Sequence, residues 1–298
     1  MNAQTQFSLQ AVDQQSLTFQ ALDNYALSGV RYRPKSQIVA NMIIANATGV
    51  PQAFYRRFAL YMAERGFQVF TFDYRGIAQS APKSLKGFDM DYLDWGQLDL
   101  SGVIDQVAKD SEKDGVKTFL IGHSYGGQAL GLVNNSQKLT ACMTFGSGVG
   151  WKGYMPKVEA FKVSIIWNVV FPAMALRYGY VPWSKLKMGA DLPLGVYQQW
   201  KQWCKYPNYF FDDPDMQYLH AQYAKVTTPI IAVTSTDDEW AMPISRDALH
   251  VHYKNAELTN DDITPQQFGL KQIGHMGYFR QGAEQIWDHV IDQFQQYL

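Results

Sequence analysis

The stretch Phe119-Leu120-Ile121-Gly122-His123-Ser124-Tyr125-Gly126-Gly127 carries two patterns in one short run. An apolar run of strand character leads into Gly-x-Ser-x-Gly, and a helical pattern follows over 125–133. Strand, tight turn and helix form the context in which a serine is held out on a strained elbow. Glycines two residues to either side remove bulk that such a turn cannot hold. The turn also brings the hydroxyl to a helix N-terminus, where free N–H groups favour negative charge. Ser124 is therefore the candidate nucleophile.

The neighbouring segments repeat the alternation. Residues 38–45, 67–72, 118–121, 139–145 and 229–234 are apolar runs of strand length, as expected of strands buried on both faces. A further strand is expected at 268–273, with short strand-like runs at Phe7-Ser8-Leu9, Leu17-Thr18-Phe19 and Gly29-Val30-Arg31-Tyr32. Helical spacing of apolar residues marks 51–66, 91–107, 125–133, 244–253 and 283–297. Strands alternating with helices imply parallel pairing through right-handed crossovers. The alternation fails over 147–226, which holds Trp151, Trp167, Trp183, Trp200 and Trp203 and several prolines. That span reads as a helical cap inserted after the sixth core strand, with 1–146 and 227–298 forming the core domain.

The bulk composition narrows the function classes. The 298 residues are 47% apolar and 18% charged, with a net charge of -1 and no basic run. A sizeable core is expected, and a nucleic-acid partner is not. Cys142 and Cys204 form no metal-ligand pattern. They are expected as free thiols, with a Cys142–Cys204 bridge as the alternative. The N-terminus has no basic cluster followed by an apolar stretch, so a cytoplasmic protein without a secretory leader is expected. The most apolar stretch, 163–176, is broken by Asn168 and Pro172 and reads as too short to span a bilayer. Its amphipathic flanks leave an interfacial role open.

A serine nucleophile needs a base, an acid that orients the base, and donors for an oxyanion. His123 precedes Ser124 and should point away from it, His220 ends the insertion, His250 and His252 fall in a helical run, and His289 lies in the last helix. His275 follows a strand expectation in the adaptable run Gly274-His275-Met276-Gly277 and is the candidate base. The acid should lie between serine and histidine in the chain. Ser235-Thr236-Asp237-Asp238-Glu239 follows the 229–234 strand, and spacing favours Asp238, with Asp237 as the alternative. No acid occurs between 137 and 157, which closes the position after the preceding strand. The N–H of Tyr125 is one expected oxyanion donor. The second should come from Asn46-Ala47-Thr48-Gly49, with Thr48 favoured and Ala47 behind it.

With Asp73-Tyr74-Arg75-Gly76 and Ser80, these motifs resemble the α/β-hydrolase superfamily, its serine esterase and lipase-like members in particular. The chain is similar to a bacterial subgroup of hydrolases whose substrate is unassigned. The resemblance covers about 27–146 and 227–298. It implies a mostly parallel sheet of about eight strands flanked by helices, a cap over the site, and hydrolysis of a small-molecule carboxylic ester through an acyl-enzyme on Ser124. Many members begin the oxyanion loop with His-Gly; here Asn46-Ala47 stands there. An acyltransferase, or an amidase or peptidase, would use the same three residues. A binding protein on the same scaffold would lose one of them. A dehalogenase or epoxide hydrolase would want Asp at 124. No metal or cofactor is expected. The tryptophans and tyrosines of the insertion imply an apolar acyl or aromatic pocket.

Overall fold

The computed structural model describes residues 11–298; the Phe7-Ser8-Leu9 expectation lies outside them. Eight strands form one sheet: β1 (Val12–Gln20), β2 (Ala26–Pro34), β3 (Ala40–Ala45), β4 (Phe67–Phe72), β5 (Lys117–His123), β6 (Ala141–Phe145), β7 (Ile230–Ser235) and β8 (Leu258–Ile263). Their spatial order is β1-β2-β4-β3-β5-β6-β7-β8. The pairs β1–β2 and β2–β4 are antiparallel, and every other pair is parallel. β3, β4, β6 and β7 are buried throughout, which is why their sequences are predominantly apolar.

Alternate side chains along these strands feed two cores. Met42, Ile44, Phe119 and Ile121 pack on one face of the sheet, against α1 (Arg56–Glu64) and the closing helix. Ile43, Leu120 and Cys142 pack on the other, which α2 (Ser101–Asp114) and α3 (Tyr125–Gln128) help to cover. The chain between β6 and β7 adds no strand to the sheet. It runs through α4 (Lys157–Ile165), α5 (Phe171–Tyr178), α6 (Leu194–Trp203) and α7 (Tyr218–Ala224). After β7 come α8 (Pro243–His250) and the closing α9 (Glu284–Gln295).

Three expectations need correction. The strand expected at 268–273 is absent. The eighth strand is β8, whose Leu258-Thr259-Asn260-Asp261-Asp262 run is exposed or half-buried at the sheet edge. Edge strands tolerate polar residues on both faces, so apolarity does not reveal them. Pro265 opens a short 3-10 turn and Gly269 closes it in the left-handed region, so 268–273 cannot pair. The helix expected over 125–133 is α-helical only through Gln128, continuing as a 3-10 turn to Gly131.

Third, the apolar stretch is part of a longer helix than expected and is not too short for a bilayer. α4 and α5 are joined by a π turn (Ile166–Val170) into one helix, Lys157–Tyr178, of 22 residues. By length and composition it is long and apolar enough to cross a membrane. Pro172 is accommodated at the start of α5, directly after the widened turn. Cys142 and Cys204 are free thiols.

Candidate active site

The site lies at the C-terminal edge of the sheet, where the chain leaves β3, β5 and β7. β3 leads to β4 on one side and its neighbour β5 leads to β6 on the other, so the connections leaving β3 and β5 diverge and open a crevice.

Ser124 follows β5 with φ 53° and ψ −113°, a left-handed-side conformation that a serine adopts only under constraint. Its N–H donates to the Phe145 carbonyl at 2.8 Å, and its carbonyl accepts from Ser147 Oγ at 2.7 Å. The glycines permit close approach around it. A Cβ on Gly126 would lie 2.0 Å from the Ala45 carbonyl oxygen, and one on Gly122 2.6 Å from Gly127. The elbow is thus wedged between β3 and β6.

The structure brings Ser124, His275 and Asp238 together. Ser124 Oγ lies 3.0 Å from His275 Nε2, and His275 Nδ1 lies 2.9 Å from Asp238 Oδ2. The carboxylate accepts, so Nδ1 carries the proton and Nε2 is free to accept from the serine hydroxyl. Asp238 is fully buried. Burial pushes its carboxyl up, but the charge and hydrogen bond of His275 and the N–H groups of Trp240 and Ala241 together hold it below the ordinary carboxylate range. Tyr278 Oη donates to Oδ2 at 3.2 Å and accepts from the Ser235 N–H.

Asp237, the alternative acid, faces elsewhere. It accepts from the N–H groups of Ile273 and Gly274, both at 2.9 Å, and from Ser235 Oγ at 2.6 Å. It ties down the loop that carries His275. That loop follows the 3-10 turn after β8 rather than a strand.

On the oxyanion side, the Ala47 N–H is committed to Tyr55 Oη at 2.9 Å, which removes Ala47 as a donor. The N–H groups of Thr48 and Tyr125 take no acceptor among the described residues, and both residues line the space in front of Ser124. Thr48 Oγ1 is hydrogen-bonded to Tyr92 Oη. Asn46, in place of the more usual histidine, donates from Nδ2 to the Phe72 carbonyl at 2.7 Å and so braces the loop against β4.

His123 points behind the elbow. Its Nδ1 accepts from Tyr55 Oη at 2.8 Å, and its Nε2 donates to the His275 carbonyl at 2.8 Å. Burial, with a smaller contribution from the nearby His275, depresses its pKa to about 3, so it is neutral at working pH. Sequence reasoning missed Tyr55, Tyr278 and the role of Asp237. None has a spacing signal; each meets the site only through the tertiary fold.

The cavity in front of Ser124 has a volume of about 40 Å³, room for a few waters. Val163, Trp167, Trp200 and Cys204 of the 147–226 span close it. A second hollow, about 730 Å³ and open to solvent, lies on the other side of His275 between Trp240, Gln272 and Arg280. It touches neither Ser124 nor Thr48, whereas the smaller space touches both. Among the described residues no cluster of His, Cys, Asp or Glu forms a metal site.

The model of the family described as serine aminopeptidase, S33, matches residues 37–202, more than half of the chain. The chain belongs to that family of α/β hydrolases. The matched span holds β3 to β6, the turn at Ser124 and most of the 147–226 span. Among curated proteins no sequence match is found. Solved structures share the family's fold. A soluble variant of monoglyceride lipase from Saccharomyces cerevisiae, in complex with a substrate analog, superposes with a TM-score of 0.71 at 12% identity, covering 100% of this chain and 99% of that one. A thermostable carboxyl esterase from Bacillus coagulans, in complex with glycerol, gives 0.61 at 12% identity over 95% and 98%. The Pyrococcus furiosus esterase Pf2001 gives 0.62 at 14% identity over 99% and 95%. At these identities the likeness establishes the fold.

Proposed function

We propose that the protein hydrolyses a carboxylic ester through an acyl-enzyme on Ser124. The observation that carries the reading is the unbroken chain Ser124 Oγ–His275 Nε2 at 3.0 Å and His275 Nδ1–Asp238 Oδ2 at 2.9 Å. In this reading His275 takes the serine proton as Oγ attacks the carbonyl. Asp238 holds the imidazole tautomer and stabilises the imidazolium. The N–H groups of Tyr125 and Thr48 receive the oxyanion. His275 returns its proton to the departing alkoxide, and water then releases the acyl group by the same route.

The 147–226 span acts as a cap that selects the acyl group. Its Val163, Trp167 and Trp200 suit an apolar or aromatic acid. The ester-cleaving names of the similar structures agree with this reading. An aminopeptidase would want an anion for the substrate's ammonium group, and among the described residues no carboxylate lines the cavity in front of Ser124. A cytoplasmic location stays with this reading as an expectation.

Fluorophosphonate labelling followed by mass spectrometry of the adduct tests the mechanism. The expected adduct is on Ser124. Folded protein without that adduct overturns the reading.

A further inference from the structure

The helix Lys157–Tyr178 is predominantly apolar yet buried on one side only. Val163, Trp167 and Phe171 recur every fourth residue and face inward. Trp167 packs edge-on to Trp200 at 4.5 Å, and Phe171 packs on Trp183 and Tyr197. The opposite side carries Val158, Phe161, Ile165, Val169 and Leu176 at helical spacing. Their exposure runs from 43% at Ile165 to 91% at Leu176. In the most apolar 18-residue window of this helix only 17% is buried. A contiguous apolar stripe of this kind marks an interaction surface.

The charges around the stripe identify the partner. Residues 152–188 hold Lys152, Lys157, Lys162, Arg177, Lys185 and Lys187 against a single acid, Glu159, a net of +5 in a chain whose formal charge is −1. The cations flank the helix at both ends. Lys152 Nζ donates to Ser164 Oγ in the first half, and Lys185 Nζ donates to Tyr178 Oη at the last residue. An apolar face rimmed by lysine and arginine complements an anionic lipid surface, where the side chains enter the acyl boundary and the cations meet head groups.

We propose that this face docks the protein on an anionic bilayer, lying in the interface plane. A second copy is a poor occupant, because two faces of net +5 would oppose each other. A spanning orientation would strip Trp167 and Phe171 from their aromatic neighbours and open the cavity they help close. The inference does not depend on the chemistry of Ser124.

Co-sedimentation of the full chain with vesicles tests it. Phosphatidylcholine vesicles with 30% phosphatidylglycerol retain the protein in 0.1 M NaCl and release it in 0.5 M, and pure phosphatidylcholine retains little. Lys157→Gln and Lys185→Gln each lower partitioning about fivefold, and Phe161→Ser with Val169→Ser lowers it at least as much. Circular dichroism and thermal melting of each variant verify that it is folded. Equal binding to both vesicles, binding indifferent to the variants, or no binding by folded protein overturns the proposal. So does a dimer in light scattering that Phe161→Ser dissociates, because the face would then belong to a second copy.

Discussion

His123 donates a hydrogen bond from Nε2 to the main-chain carbonyl of His275 at 2.8 Å, so the residue before Ser124 holds the loop of His275. The same imidazole accepts from Tyr55 Oη, which in turn accepts from the Ala47 N–H. One buried relay thus links the loop after β3, the turn at Ser124 and the loop of His275. His123→Phe removes both of its hydrogen bonds while keeping an aromatic ring. Ester turnover should fall about tenfold in kcat with KM within about twofold, because the partners left unpaired shift the geometry rather than the binding pocket. Steady-state kinetics checks this; a KM effect with intact kcat would place His123 in binding instead.

The adjacent acids should separate in mutagenesis. Asp238→Asn loses the tautomer control of His275, and kcat should fall by about 10³–10⁴. Asp237→Asn weakens the hold on Ile273 and Gly274, and the expected loss is about tenfold or less, together with a lower melting temperature. A larger loss at Asp237 would reverse the assignment.

Strain at Ser124 predicts a trade of stability against activity. A positive φ in a non-glycine residue costs about 1–3 kcal/mol, and glycine adopts that conformation freely. Ser124→Gly should abolish labelling yet melt a few degrees higher than Ser124→Ala, which keeps the strain and also lacks the hydroxyl. Equal melting temperatures for the two variants would show the elbow to be unstrained.

The pH dependence of stability has a signed contribution from His250. It is fully buried, with Nδ1 donating to the Arg246 carbonyl, and burial depresses its pKa from 6.5 to about 4. Above pH 6.5 both folded and unfolded forms are neutral, and the group contributes nothing to pH dependence. Between 6.5 and 4 the unfolded chain takes up the proton first, so stability falls as the solution is acidified. At pH 5 the shift corresponds to about 2 kcal/mol. Urea unfolding of the wild type and of His250→Gln, each at pH 7.5 and 5, should show the variant losing about 2 kcal/mol less than the wild type. Identical losses would refute this contribution.

The aromatic closure of the cavity predicts altered selectivity. Trp200→Ala should raise the ratio of kcat/KM for octanoate over that for butyrate esters by about tenfold, because the removed ring vacates space beside Ser124. A ratio that does not change would place the acyl group elsewhere.

Much of the framework was legible in the residues because the strands that carry it are buried on both faces. β3, β4, β6 and β7 announce themselves as apolar runs, and Ser124 and Asp238 stand directly beyond two strand ends. β8 was not legible, since an edge strand has solvent on one side and Asn260-Asp261-Asp262 reads as loop. The unbroken helix through Pro172 was hidden because proline usually ends a helix, and only the π turn before it admits the ring without a break. The Ala47–Tyr55–His123–His275 relay joins residues up to 228 positions apart in the chain, beyond the reach of any local pattern.

The space in front of Ser124, about 40 Å³, has a kinetic meaning. It has no room for an acyl chain while Val163, Trp167 and Trp200 stand where they do, so under the proposed function each turnover would wait for the helices above to part. Esters with very reactive and sluggish leaving groups should then converge on one ceiling rate, the frequency at which the roof opens. The clock of this enzyme would lie in the aromatic packing of its lid rather than in the bond being broken.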